Sequence, residues 1–137
     1  MVFGPHPRSF RHRTPRRMRR QSLVAVLSDK VREGELVVVE ELTLERPATR
    51  EMVRVLEALG VAPPVLLVAD GAEPSVLRSA RNIPRLNMAP ASLLNTLDLL
   101  KHGQVVMTMD AVRKAEELWG GSADRRRKEP ASGVAQA

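Results

Sequence analysis

The feature that most constrains the fold is a set of four short apolar runs that alternate with stretches of helical periodicity. The runs lie at 36–39, 65–69, 86–89 and 104–108, and the first two contain no polar residue. Continuous apolar runs of this length are typical of parallel strands that are buried on both faces. Because strand and helix patterns alternate through short connections, we predict an α/β fold: a doubly wound, mostly parallel sheet of about four strands with helices on both faces.

Helical patterns separate these runs. The first helix is expected to take Thr14 as its N-cap and Pro15 as its first residue, with a stripe of Leu23, Leu27 and Val31 packed on the core and Gly34 ending it. Later helices are expected from Pro47 or Thr49 to Gly60, over 75–81, over 91–102, and after an N-cap at Asp110. Their predicted inward-facing residues are Met52, Val53, Leu56, Leu59, Leu93, Leu94, Leu97, Leu100, Val112, Ala115 and Leu118.

Length and composition set the domain organisation. We predict a basic extended arm over 1–14, an α/β globular domain over 15–119 and a disordered polar tail over 120–137. A hydrophobic content of 43% supports a buried core. The absence of cysteine excludes disulfides and thiolate metal sites. No run approaches the roughly 18 apolar residues of a membrane helix, so we predict no membrane span.

Charge is unevenly distributed along the chain. Residues 1–20 contain seven arginines and no acidic residue, whereas residues 21–123 contain 11 basic and 14 acidic side chains. The candidate binding residues in the basic stretch are Arg8, Arg11, Arg13, Arg16, Arg17, Arg19 and Arg20. The last four crowd the opening turns of the first helix, where the macrodipole already contributes about half a positive charge. An anion would relieve this repulsion, so the pattern favours binding to nucleic-acid phosphates. The alternative is a solvated arm that only aids solubility.

An enzymatic alternative comes from acidic residues at the carboxyl ends of the predicted strands. Glu40, Glu41, Asp70 and Asp110 could hold Mg²⁺ for phosphotransfer, although the two aspartates also suit helix caps. The sequence lacks a phosphate-binding glycine loop, a dinucleotide fingerprint and a nucleophile elbow. We therefore predict no catalytic residue, metal site, cofactor or small-molecule substrate. A further alternative is a protein-interaction module whose arginine arm docks on an acidic partner.

Several collinear motifs resemble one known family. They lie at 3–10, 15–20, 27–30, 34–39, 79–84 and 94–102, and the last helix, from Asp110, also fits. In these stretches the chain resembles the universal large-subunit ribosomal protein four family, over residues 3 to about 119.

The resemblance implies a structural protein of the cytoplasmic ribosome that supports early subunit assembly near the peptide exit tunnel. Its expected partners are large-subunit rRNA and neighbouring large-subunit ribosomal proteins. On this basis Phe3-Gly4-Pro5 and Pro7-Arg8 would be the returning base of the family's tunnel extension. The phosphate contacts at the root of the globular domain would be Arg11, Arg13, Arg16, Arg17, Arg19 and Arg20. Arg81 and Asn82, with Arg78 and Arg85 nearby, are secondary RNA-binding candidates, and capping of a short helix is the alternative explanation for them.

The family pattern extends further than this chain does. Family members carry a strand pair, a helix and a Gly/Arg-rich tunnel loop ahead of the Phe3-Gly4-Pro5 motif, and Met1 falls inside the end of that loop. The tunnel-lining role is therefore not assigned to residues present here. We expect an uncovered sheet edge and a marginally stable, aggregation-prone isolated chain.

Overall fold

Four parallel strands form one sheet in the computed structural model, which describes residues 2–120. The strands are β1 (Leu36–Val39), β2 (Val65–Val68), β3 (Leu86–Ala89) and β4 (Gln104–Thr108). They lie in the order β1-β4-β2-β3, and every neighbouring pair is parallel. The predicted α/β class with a parallel four-stranded sheet is confirmed.

Helices cover both faces of this sheet. They are α1 (Arg16–Arg32), α2 (Thr49–Ala58), α3 (Pro74–Arg81), α4 (Thr96–Lys101) and α5 (Met109–Ala115), with a 3₁₀ turn over Ala91–Leu93 and a π-helical turn over Glu116–Gly120. On one face, Met52 of α2 and Val76 of α3 pack with Leu67 of β2. On the other, Leu23 of α1 and Leu99 of α4 pack with Leu66. The doubly wound arrangement follows from this division.

The first strand is less buried than its sequence predicts. Among the described strands, β1 pairs only with β4, so it lies at an edge of the sheet. Val38 is 45% exposed, whereas all four residues of the central strand β2 are buried. The prediction of burial on both faces was wrong for β1 because an apolar run does not reveal the strand's position in the sheet.

An apolar groove of about 760 Å³ runs beside β1 between α1 and α5. Val24, Val31, Val38 and Trp119 are among its lining residues. The stripe predicted on α1 is therefore only partly packed: Leu23 is buried, but Val31 is 63% exposed.

The fourth helix starts later and faces differently from the prediction. Leu94 and Asn95 interrupt the expected helix, and the Asn95 side chain accepts a hydrogen bond from the backbone N–H of Leu97 at 3.3 Å. This cap restarts the helix in a new phase, so Leu99 is buried. Leu94, ahead of the cap, is buried as predicted. The residues that the prediction wrongly placed inward are Leu93, Leu97 and Leu100.

Two helix caps and the exposure of two side chains also differ from the prediction. Pro15, not Thr14, is the N-cap of α1, and no side chain caps this helix. Thr108, not Asp110, caps α5, because its Oγ1 accepts a hydrogen bond from Ala111 N–H at 3.4 Å. Two residues predicted to face inward, Val53 and Leu118, are exposed.

No helix among the described residues is long and apolar enough to cross a membrane. The predicted tail begins at Gly120, which ends the π-helical turn, and residues 121–137 of that tail lie outside the described residues.

Candidate nucleic-acid interface

The arm over residues 2–15 forms neither helix nor strand, and its arginines are exposed. The Arg8 guanidinium lies 4.8 Å from the centroid of the Phe10 ring, within the range of a cation–π contact. The backbone N–H of Arg11 donates to Ser9 Oγ at 3.3 Å. Arg8, Arg11 and Arg13 thus follow one another on an extended segment that leads into α1.

The first turns of α1 carry the densest positive charge. Arg16, Arg17 and Arg19 are exposed, and the first turn contains no acidic residue. The N–H groups of a helix's first turn have no partner within the helix, and no side chain caps them here. Free backbone donors, the positive end of the macrodipole and three guanidinium groups therefore coincide at one place, which suits a phosphate.

Arg20 differs from its neighbours because it contacts the domain. Its Nε and Nη2 donate to the carbonyl oxygen of Trp119 at 3.1 and 2.7 Å, and the residue is half-buried. These bonds tie the start of α1 to the π-helical turn at the far end of the described chain. Arg20 thus has a structural contact that the charge pattern did not indicate.

Two polar contacts fix the direction of α1. Near its start, Ser22 Oγ lies 3.2 Å from Oγ1 of Thr96, the first residue of α4 after β3 has ended. Near its end, Lys30 Nζ donates to the carbonyl oxygen of Gly103 at 3.0 Å, directly before β4 begins. The helix therefore runs antiparallel to the strands, and its arginine-rich start lies at the carboxyl edge of the sheet.

The secondary candidates lie elsewhere. Arg81 is the last residue of α3 and Asn82 its C-cap, and both are exposed. Arg85 immediately precedes β3, and its carbonyl oxygen accepts a hydrogen bond from the backbone N–H of Val65, the first residue of β2. These residues therefore lie at the amino edge of the sheet, and the structure does not bring them together with the arm.

The acidic residues of the enzymatic alternative border a small recess at the carboxyl edge. Its volume is about 80 Å³, and Glu40, Glu41, Asp70, Glu73 and Asp110 contribute to its lining. Within residues 2–120, no three His, Cys, Asp or Glu side chains are grouped closely enough to hold a metal ion. The described carboxylates around the recess are therefore not grouped as a magnesium site requires.

Fold and charge together define the class of this protein as a small parallel α/β domain with a basic N-terminal arm. The sequence profile of the ribosomal protein L4/L1 family matches residues 1–118. The chain belongs to the ribosomal protein L4/L1 family.

Curated relatives agree with this assignment. Large ribosomal subunit protein uL4 of Dehalococcoides mccartyi strain CBDB1 is 48% identical over 120 residues, which cover 88% of this chain and 57% of the relative. The protein of the same name from Carboxydothermus hydrogenoformans is 47% identical over 119 residues, covering 87% and 58%. That from Moorella thermoacetica is 38% identical over 118 residues, covering 86% and 57%. The chain thus spans a little more than half the length of these relatives.

The family resemblance predicted from the motifs is confirmed by these matches. The relatives are named as ribosomal proteins, not as enzymes, in agreement with the prediction of a non-enzymatic protein.

Proposed function

We propose that this chain binds large-subunit rRNA through its arginine arm and the first turns of α1, as part of a large-subunit ribosomal protein in the cytoplasmic ribosome. The chain also contributes to early subunit assembly near the peptide exit tunnel and contacts neighbouring ribosomal proteins. It requires no cofactor, metal ion or small-molecule substrate.

One observation carries this proposal. Arg16, Arg17 and Arg19 surround an uncapped helix start with no acidic residue in its first turn. Among the described residues, none of these three guanidinium groups has a carboxylate within 4.0 Å. Holding unpaired like charges together at the positive end of a helix costs free energy, and a polyanion offsets that cost.

The test is rRNA binding by the Arg16→Gln/Arg17→Gln/Arg19→Gln variant over a range of salt concentrations. Three lost phosphate contacts should lower the magnitude of the log–log salt slope by about 2–3, with weaker binding to every RNA sequence tried. Arg20 is left unchanged because its bond to Trp119 would confound stability with binding.

A matched control removes the same charge from another surface. Arg46, Arg50 and Arg54 are exposed and lie in or just before α2, and their triple Gln variant should keep most of the salt slope. If the two triple variants lose the same amount of salt slope, net charge and not the arm determines RNA binding. If neither variant weakens RNA binding and ribosomal proteins are still captured after nuclease treatment, the acidic-partner alternative replaces the proposal.

A further inference from the structure

One side chain joins the start of α1 to the π-helical turn over Glu116–Gly120. Arg20 donates two hydrogen bonds to the Trp119 carbonyl oxygen, from Nε at 3.1 Å and from Nη2 at 2.7 Å. The residue is half-buried, and its guanidinium group has no carboxylate oxygen within 4.0 Å among the described residues. A full positive charge is therefore held here by a neutral oxygen atom.

Arg20 also lies beside the residues that are proposed to hold a phosphate. It follows Arg17 by three residues and Arg16 by four, so the three side chains emerge from one face of α1. Like charges at these spacings repel one another. A phosphate oxygen carries more negative charge than a carbonyl oxygen, and the planar guanidinium group matches phosphate geometry. A phosphate bound at Arg16 and Arg17 therefore competes with the Trp119 carbonyl oxygen for Arg20.

The turn on the other side of this contact is weakly held. None of its five residues is buried, and π-helical geometry is rare and frequent at functional sites. The Trp119 ring packs on the core cluster that contains Leu23. Its indole Nε1 is buried but has no hydrogen-bond partner among the described residues. A buried donor without a partner costs free energy, which exposure to water would recover. The turn thus depends on the ring packing and on the two bonds from Arg20.

We infer that Arg20 exchanges partners when RNA binds: its guanidinium group leaves the Trp119 carbonyl oxygen for a phosphate, and the π-helical turn is released from α1. The inference rests on the proposed function and adds a conformational response to it. Binding at the start of α1 is thereby transmitted to the apolar groove, because Trp119 and Gly120 contribute to its lining. Closure of the turn and binding of RNA oppose each other, and this coupling acts in both directions.

Tryptophan fluorescence reports the exchange directly. The chain contains one tryptophan and no tyrosine, so its indole emission comes from Trp119. The full chain is titrated with a short RNA hairpin, and binding is followed separately by the anisotropy of a fluorophore on the hairpin. As RNA saturates the protein, we expect the emission to shift to longer wavelength and acrylamide to quench it more strongly, because the released ring enters water.

Two neighbouring arginines give a matched pair of variants. Arg20→Gln should show the shifted emission without RNA, and RNA should change it little further. Arg19→Gln removes the same charge one residue away, where the side chain is exposed and the bonds to Trp119 are left intact. Its emission without RNA should match that of the wild type. It should bind the hairpin more weakly but show the full shift at saturation.

The coupling also predicts that loosening the turn tightens RNA binding. Trp119→Ala removes the packing of the ring, so Arg20 no longer has to be drawn away from an ordered carbonyl oxygen. The Kd for the hairpin should fall about fivefold or more, which is the lower end of typical coupling between sites. Trp119→Phe keeps an aromatic ring in this place and should leave the Kd close to that of the wild type. Weaker binding by Trp119→Ala would mean that the contact supports RNA binding, and the exchange would be overturned.

Failure of this inference can be told apart from failure of the proposed function. If the protein does not raise the anisotropy of the hairpin, the proposed function fails. If the anisotropy reaches saturation while the Trp119 emission stays unchanged, or if acrylamide quenching falls, RNA binds without releasing the turn and the exchange is overturned. If Arg19→Gln and Arg20→Gln show the same shifted emission without RNA, the lost charge and not the bond to Trp119 is the cause, and the exchange is overturned as well.

Discussion

Arg20 and Lys30 both use their charged ends to hold α1 against the rest of the domain. Arg20 donates two hydrogen bonds to the Trp119 carbonyl oxygen. Lys30 donates hydrogen bonds to the Glu35 carboxylate and the Gly103 carbonyl oxygen. Contacts at both ends of the helix fix its direction on the sheet. The exposed arginines in its first turns are consequently presented by a rigid element, while the arm before them is not part of any helix or strand.

Replacing Lys30 tests how strongly the end of α1 is held. The Lys30 side chain is only 12% exposed, so Lys30→Met leaves Glu35 and Gly103 without their partner in a partly buried place. We expect a loss of about 1–2 kcal/mol in the free energy of unfolding, measured by urea denaturation. Lys114→Met is the control, because Lys114 and Glu117 form an ion pair at 3.2 Å whose side chains are 42% and 71% exposed. That exposed pair should contribute less than about 0.5 kcal/mol to the free energy of unfolding. Similar losses of unfolding free energy in Lys30→Met and Lys114→Met would contradict a stabilising role for the Lys30 contacts.

The ends of the helices and strands were largely predictable from the sequence, whereas the face that each element buries was not. Apolar runs and glycine stops located all four strands and four of the five helix starts to within about two residues. The exception is α4, where the Asn95 side chain accepts a hydrogen bond from the backbone N–H of Leu97 and so restarts the helix. Periodicity over 91–102 contains no signal that such a break occurs, so Leu97 and Leu100, which follow it, were assigned to the wrong face.

The same limit applies to the candidate interface. The arginine cluster was visible as charge, because seven arginines without an acid stand out in any window. The Arg20–Trp119 contact joins residues 99 positions apart, so no local pattern could indicate it. The edge position of β1 likewise depends on strand order, which is a property of the whole chain.

The phase of α4 can be tested with two adjacent leucines. Leu99 is fully buried and Leu100 is 65% exposed, although the sequence pattern placed Leu100 inward. Leu99→Ala should lower the free energy of unfolding by about 2–5 kcal/mol, because it leaves a cavity, whereas Leu100→Ala should change it by less than about 0.5 kcal/mol. Thermal or urea unfolding of the pair measures the difference. A larger loss of unfolding free energy for Leu100→Ala than for Leu99→Ala would mean that α4 buries the face predicted from the sequence.

At the scale of the whole molecule, the β1 side of the domain combines, within the described residues, a sheet edge and an apolar groove. β1 is an edge strand of four apolar residues with no charge, proline or glycine to block pairing with another chain. The apolar groove lies directly beside it. An unguarded edge next to exposed apolar surface favours association between chains, as expected for the isolated protein.

A single lysine on this edge should reduce that association. Val38 is half-exposed and lines the groove, so Val38→Lys places a charge at the edge without opening the core. Light scattering by the full chain at rising protein concentration should show less association than wild type, with a similar unfolding midpoint. Leu100→Lys adds the same charge at an exposed leucine on α4, away from the β1 edge, so it controls for net charge. If the two lysine variants suppress association equally, repulsion between chains is the cause and the β1 edge is not the contact. Suppression by Val38→Lys alone would identify the edge and its groove as the surface through which the chains meet.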